Sequence, residues 1–373
     1  MLAAVSLGEG AIADRVIVGV GDLELPTTNV FANRIVVERL GNGPGLARRL
    51  LEARGRGERV AVVARAADLA AMRAELALAA EQRAGVVVHA IADGEDADMG
   101  LGPAIALAEL PWGMLLGAGP GDAVDLALIA RRAAEDSGFP FLVVHPSGSP
   151  TRAPEPAEPS REVLGAFLGG PAQPGPPGTF EPAPIARDTF SERVPFALAS
   201  AMRDLEGLTG RKRDVIERAP WADCALALVG AGRIGESLMG EVARLRAEGQ
   251  DVGAVRIVAW RPFPAARLVK ALSRVLAMTV LEGPSLAVSP SGPLATHLKA
   301  AFADALTWAP DYPGIGAIPR VVSGLVTSRR DVGPRDVDAI VRNMNRDELG
   351  KRTFVLGPER PEQPENTGGE ELA

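Results

Sequence analysis

Cysteine is nearly absent: Cys224 is the single thiol in 373 residues. A disulfide framework is thereby excluded, and an iron-sulfur cluster, which draws on about four thiolates, has no ligand set in this chain. Cys224 falls in the apolar run DCALALVGAG and reads as a small buried strand residue. Histidine is almost as scarce. His89, His145 and His297 are far apart and form no H-E-x-x-H or C-x-x-C pattern, so no metal signature is present. Aromatic residues make up only 4% of the chain, which suits a helix-covered parallel sheet better than an aromatic-rich sandwich. No apolar run reaches the length of about 18 residues that spans a membrane, and the start MLAAVSLGEGAIADRV lacks a basic segment followed by a sustained apolar one. A cytoplasmic chain without membrane contact is expected. With a formal charge of -7 and its Lys and Arg interspersed among acids, the chain has no basic stripe to neutralise a phosphate backbone, and no nucleic-acid partner is expected.

What is present is apolar content of 47%, enough over this length for two domains with their own cores. The first 148 residues alternate short β-rich runs with amphipathic stretches. Strands are expected at 16–20, 35–37, 60–64, 86–90, 114–116 and 141–144, and helices at 46–53, 68–82 and 122–135. Such βαβ repetition implies a parallel sheet with helices on both faces. Proline then recurs densely, as in PTRAPEPAEP and GGPAQPGPPG, which marks residues 149–192 as a connector holding at most a short helix over 161–168. A second α/β domain is expected over 193–350. Its helices fall at 195–207, 235–248, 265–274, 293–306 and 334–344, and its strands at 225–229, 255–259, 279–281 and 320–322. Residues 351–373, rich in Pro, Gly and Glu, read as an acidic, disordered tail.

Gly230, Gly232 and Gly235 in LVGAGRIGES satisfy G-x-G-x-x-G between a strand and a helix, where backbone N–H groups can receive a pyrophosphate. At the end of the next strand a NAD site wants an acid, yet Arg261 stands there, a residue suited to the 2′-phosphate of NADP. Two readings stay open at this point. The chain is a stand-alone NADP-dependent oxidoreductase, or the glycines serve close packing of strand on helix.

Four segments in order, TGRKRDVIER, ALALVGAGRIGES, VGAVRIVAWRPFP and VVSGLVTSRRDVGPRDVDAIVRNM, resemble the second domain of the pyruvate:ferredoxin (2-oxoacid:acceptor) oxidoreductase family, itself similar to the C-terminal domain of transketolase. Leu245, Arg246, Gly249, Val252, Gly253, Arg261, Pro262 and Phe263 match the family's L-R-x-x-G and V-G…R-P-F spacing. The first region is more distantly similar to the family's pyrimidine-binding domain, and the order of the two matches an alpha subunit. The resemblance implies an α/β protein of two parallel-sheet, helix-covered domains within a hetero-oligomer. Thiamine diphosphate and iron-sulfur clusters would be carried by partner subunits, and the reaction would be oxidative decarboxylation of a 2-oxoacid with electrons passed to ferredoxin.

The site residues that the resemblance calls for are altered. In place of Y-P-I-T-P the chain has Leu25-Pro26-Thr27-Thr28, the ring-binding glutamate position is Gly41 with Glu38 three residues away, and the strand that ends in a substrate arginine offers His89 and Asp93. Glu38, Thr27 and Thr28 are therefore the cofactor-binding candidates, against their readings as a solvated strand-end charge and a turn or cap. His89 reads as a core histidine with one satisfied nitrogen, and Asp93, Glu95, Asp96 and Asp98 as a solvated acidic loop. A subunit retained for assembly, with degenerate catalysis, is the expectation.

Overall fold

A computed structural model describes residues 1–41, 43–54, 57–92, 101–146, 158–170, 189–219, 224–283, 291–326, 332–345 and 353–356. The acidic loop 93–100, most of the proline-rich connector and the tail from 357 lie outside them.

The β-branched runs of the first region form strands β1 (Arg15–Val18), β2 (Val36–Arg39), β3 (Val60–Arg65), β4 (Val87–Ile91), β5 (Gly113–Leu116) and β6 (Phe141–His145), all paired in parallel in the order β5-β6-β4-β3-β1-β2. One face is covered by α1 (Leu2–Ile12) and α5 (Pro120–Ser137), the other by α2 (Pro44–Arg54), α3 (Arg73–Glu81) and α4 (Leu101–Ile105). α5 is capped by Gly119, whose N–H donates to Asp122 Oδ1 at 3.2 Å, has Pro120 in its first turn, and ends on Gly138 in the left-handed conformation, each a helix boundary signal.

The second sheet contains β7 (Ile216–Arg218), β8 (Leu226–Ala231), β9 (Val252–Ile257), β11 (Ala277–Glu282), β12 (Arg320–Val326) and β13 (Thr353–Leu356) in the order β13-β12-β11-β8-β9-β7, with only β7 antiparallel. Helices α8 (Gly232–Ala247) and α11 (Pro334–Met344) cover one face, and α9 (Ala265–Leu272) and α10 (Pro293–Leu306) the other. The two-domain, helix-covered α/β architecture expected from the sequence is present.

Several expectations are corrected. The segment 255–259 is not one strand: β9 ends at Ile257, the N–H groups of Val258 and Ala259 both reach Val215 O at 3.1 Å, and the chain turns into β10 (Ala259–Arg261). β10 then pairs antiparallel with β5 and becomes the seventh strand of the first sheet. The helix placed at 195–207 is longer, α7 (Thr189–Thr209), and Val194, Leu198, Ala201 and Leu205 pack on α5 over the first sheet rather than opening the second domain. α6 (Arg161–Leu168) lies within the connector and joins the same layer through Leu164 and Phe167. The helix expected over 68–82 breaks into a 3-10 turn at Ala66–Ala70 and α3: Ala71 N–H bonds to Asp68 O at 3.1 Å and Met72 N–H to Leu69 O at 3.2 Å, both of the i→i−3 kind. Residues 353–356, assigned to the tail, form β13.

One apolar core runs beneath both sheets. Val62, Val88 and Met114 of the first sheet and Val229, Trp260 and Met278 of the second region belong to the same cluster of buried side chains. The two halves are thus joined by burial as well as by the shared strand.

Candidate functional site

The seam between the two halves holds the glycine turn. β8 ends at Ala231, and Gly232 starts α8 with a φ of 51°, a left-handed conformation that glycine adopts at little cost. A Cβ on Gly232 would lie 3.0 Å from Gly117 O, at the end of β5. On Gly235 it would lie 2.6 Å from Gly230 O and 2.8 Å from Arg256 Cγ, and on Gly230 it would lie 2.8 Å from Gly235 N. All three glycines are required by contacts within the protein, and Gly232 is covered by the first sheet where a pyrophosphate would have to enter. Arg261 does not face this turn: it sits in β10, donates to Ala108 O at 3.1 Å and stands 3.3 Å from His297 Nε2. The NADP reading is not favoured. Isothermal titration with NADP and with NAD is expected to show no micromolar binding; a micromolar site abolished by Gly232→Val would reinstate it.

Charge pairs lock the same seam. Arg256 of β9, 3% exposed, donates to Asp122 of α5 and, at 3.1 Å each, to Glu217 and Glu236. The neighbouring Asp125 of α5 receives Arg211 at 2.8 Å and Arg213 at 3.0 Å. Burial raises the Glu217 carboxyl above the usual range despite the Arg256 guanidinium beside it, whereas the surrounding carboxylates hold Arg256 charged.

The three cofactor-binding candidates are not brought together. Glu38 lies on edge strand β2, with Arg49 reaching its two oxygens at 2.9 Å and Arg15 bonded to it as well. Burial alone would raise its carboxyl, but the hydrogen bonds from Arg49 and Arg15 hold it below the ordinary value. Thr27 and Thr28 are exposed in a loop closed by Ile35 N–H to Thr27 O at 3.0 Å and organised by Asn29, whose Oδ1 accepts from Phe31 and Asn33 N–H. Thr28 lines a cavity of about 600 Å³ beside α1 with Asp22, Glu24 and Glu158 on its walls. Gly41, at the position that the resemblance gives to the ring-binding glutamate, is exposed, and a Cβ there would meet nothing within 4 Å.

A cluster missed in the sequence lies inside the first domain. Glu9 of α1, His89 of β4, Arg131 of α5 and His145 of β6 are each fully buried. Glu9 Oε1 is 2.9 Å from His89 Nε2, His89 Nδ1 is 2.9 Å from His145 Nε2, and Arg131 Nη2 donates to Glu9 Oε2 at 3.1 Å and to Val60 O at 2.9 Å. His89 is therefore a core histidine with both nitrogens engaged, not one. Burial would raise Glu9, but Arg131 and then His89 hold it down at about 2. Burial, then the His89 ring and the chain's N-terminal charge, push His145 well below its ordinary 6.5. Its sequence signal was a set of charged or titratable residues inside apolar runs, each of which needs a partner when buried.

This cluster sets an acid limit. A His145 kept neutral in the fold takes up its proton only on unfolding, so stability is lost as pH falls below 6.5, by about 1.4 kcal/mol per pH unit. Glu9, depressed from 4.5 to about 2, adds a second loss below 4.5. Denaturant midpoints followed from pH 7 to 4 are expected to fall, and His145→Gln to flatten the upper part of that fall.

Among the described residues, no cluster of His, Cys, Asp and Glu is arranged to hold a metal ion, and no helix is long and apolar enough to cross a membrane. Cys224 is buried, as expected of it.

Residues 222–316 match the family model for pyruvate:ferredoxin oxidoreductase core domain II. Pyruvate synthase subunit PorA of Pyrococcus furiosus is 30% identical over 179 residues, which cover 43% of this chain and 45% of that subunit. The PorA subunit of Methanothermobacter thermautotrophicus is 26% identical over 240 residues, covering 59% of this chain and 58% of the relative. The chain thus spans about half the length of the relatives that it matches. In fold it is similar to the 2-oxoglutarate:ferredoxin oxidoreductase of Magnetococcus marinus, with a TM-score of 0.56 at 15% identity over 91% of this chain and 64% of that one. A split-gene transketolase, an inactive beta4 tetramer, superposes with a TM-score of 0.51 at 16% identity, covering 91% and 94%. The domain II match falls on segments read in register from the sequence, and with the PorA likeness the chain is similar to alpha-type subunits of the pyruvate:ferredoxin oxidoreductase family.

Proposed function

We propose that this chain is an alpha-type subunit of a 2-oxoacid:acceptor oxidoreductase-like assembly in which it supplies architecture and partner contacts rather than the ring-binding carboxylate. The family's chemistry rests on thiamine diphosphate, which decarboxylates the 2-oxoacid, and on iron-sulfur clusters that carry the electrons away. The observation that carries the structural role is the state of Glu38: Arg15 and Arg49 occupy its carboxylate, so it does not fit the task of accepting a hydrogen bond from a pyrimidine ring nitrogen. Glu9, the buried alternative on α1, is likewise committed to His89 and Arg131. Thr27 and Thr28, exposed and in the place of the family's threonine loop, are the side chains still offered to a cofactor or substrate held by a partner.

Purification of the native assembly tests this, with its subunits identified by mass spectrometry and its iron and thiamine content measured. Co-purification with a cysteine-rich subunit and a thiamine-binding subunit is expected, with oxidative decarboxylation of a 2-oxoacid changed less than twofold by Glu38→Gln. A cofactor-free monomer in the native extract would refute subunit membership. A loss of about a hundredfold or more in Glu38→Gln at unchanged assembly would refute the structural role alone, since positioned acid–base partners contribute on that order.

A further inference from the structure

α1 shows no polar face, the pattern of a helix meant to be covered on all sides, yet only part of it is covered. Val5, Gly8 and Ile12 are buried, with Gly8 so close to α5 that a Cβ there would lie 3.2 Å from Ala127 Cβ. Leu2, Ala3, Leu7 and Ala11 are half-buried or exposed, and they form one wall of the cavity of about 600 Å³ that Thr28 also lines. The facing wall is the loop after β1, which adds the apolar side chains of Pro26 and Val30. A Cβ on Gly10 would lie 2.8 Å from Pro26 Cδ, so helix and loop meet there and shape the cavity into a groove. From Leu2 to Ala11 it follows α1 for about 14 Å, the length of about four extended residues. An apolar groove of this size marks a surface that another molecule covers.

Charge indicates which kind of molecule. Asp22, Glu24 and Glu158 are exposed and line the same groove, whereas no Lys, Arg or His lines it. Among the described residues none of these three carboxylates is ion-paired. Three like charges beside an apolar floor repel an anion and favour a cation on a hydrocarbon stem. Lysine and arginine are built that way. A second copy of this chain, with its formal charge of -7, is a poorer match to an acidic rim.

We propose that the groove between α1 and the loop over 22–30 is a docking site for a basic segment of another subunit, which lays apolar side chains on α1 and sets Lys or Arg heads among Asp22, Glu24 and Glu158. The site rests on the subunit membership proposed above and adds the chemistry of the face that meets this chain.

The test labels carboxylates in the native assembly and in the isolated chain with a carbodiimide and glycinamide, read by peptide mass spectrometry, with a parallel sample coupled without added amine. Glu24 and Glu158 should label readily in the isolated chain and lose that labelling in the assembly. Without the amine, a lysine of another subunit should couple to one of the three carboxylates; protection without such a link identifies arginine. Glu24→Lys combined with Glu158→Lys should weaken retention of that subunit by about tenfold or more at low salt, as like charges brought together across an interface do, with the deficit narrowing as salt screens exposed charges. If no other subunit co-purifies, membership itself fails. An assembly that keeps its subunits while the three carboxylates label as in the isolated chain overturns the docking site alone. Protection already present in the isolated chain, a link to a lysine of this chain or of a second copy, or unchanged retention in the double variant overturns it as well.

Discussion

Glu9→Gln is expected to lower the unfolding free energy by about 3–5 kcal/mol, the usual consequence of leaving one member of a buried ion pair without the other. Glu9 is the only carboxylate bonded to Arg131 among the described residues, and both side chains are fully buried. Glutamine keeps the shape and an acceptor for His89 Nε2–H but not the charge that compensates the guanidinium. Urea denaturation would show this as a lower midpoint with an unchanged slope. Arg131→Met in the same background should recover much of the loss by removing the stranded cation, although Val60 O then forfeits a donor. If Glu9→Gln unfolds at the wild-type midpoint, the pair is not compensated as the geometry indicates.

Arg256→Met is expected to cost a similar amount, about 3–5 kcal/mol, for the opposite reason: three carboxylates lose their common cation. Asp122 comes from the first domain, Glu217 and Glu236 from the second, and all bond Arg256. Without it their repulsion acts across the seam. Hydrogen exchange should therefore rise first around α5 and β10, before the outer strands. The pH dependence has a definite sign. Glu217 already has a raised carboxyl, and a carboxyl raised in the fold loses stability as pH rises from its unfolded value through its folded one. Removing Arg256 extends that window upward. The deficit relative to wild type should be smaller at pH 5 than at pH 8, and a pH-independent deficit would mean that lost packing, not charge, is responsible.

The helices with strong boundary signals were legible in the sequence. α6, α10 and α11 begin and end where expected, since Ser160, Pro293 and Pro334 mark starts that local chemistry alone dictates. α1 was not legible, because LAAVSLGEGAI is apolar on every side and shows no helical period. The split of β9 from β10 was hidden for another reason: Val258 and Ala259 continue an apolar run, and only the tertiary partner, Val215, turns the chain aside.

At the site, the glycine turn was visible but its purpose was not, since the group that meets Gly232 is Gly117 O, more than a hundred residues earlier. The resemblance points to an altered position at Gly41 with Glu38 nearby, but it does not show the two arginines that neutralise Glu38, which come from β1 and α2. The Glu9–His89–His145–Arg131 chain draws on four separate elements, and no local pattern links them.

The strand that crosses from one half to the other has a bearing on synthesis. A ribosome that has delivered residues 1–219 has made all the first sheet except β10, and β5 waits as an open edge with its backbone groups unpaired. Closure comes only when residues 259–261 emerge, by which time β8, α8 and β9 have also been delivered. The amino-terminal half is thus born with a sticky border that a neighbouring nascent chain can capture. Its safe completion depends on how quickly translation supplies the remaining forty residues or so, an interval of a few seconds at about 5–20 residues per second.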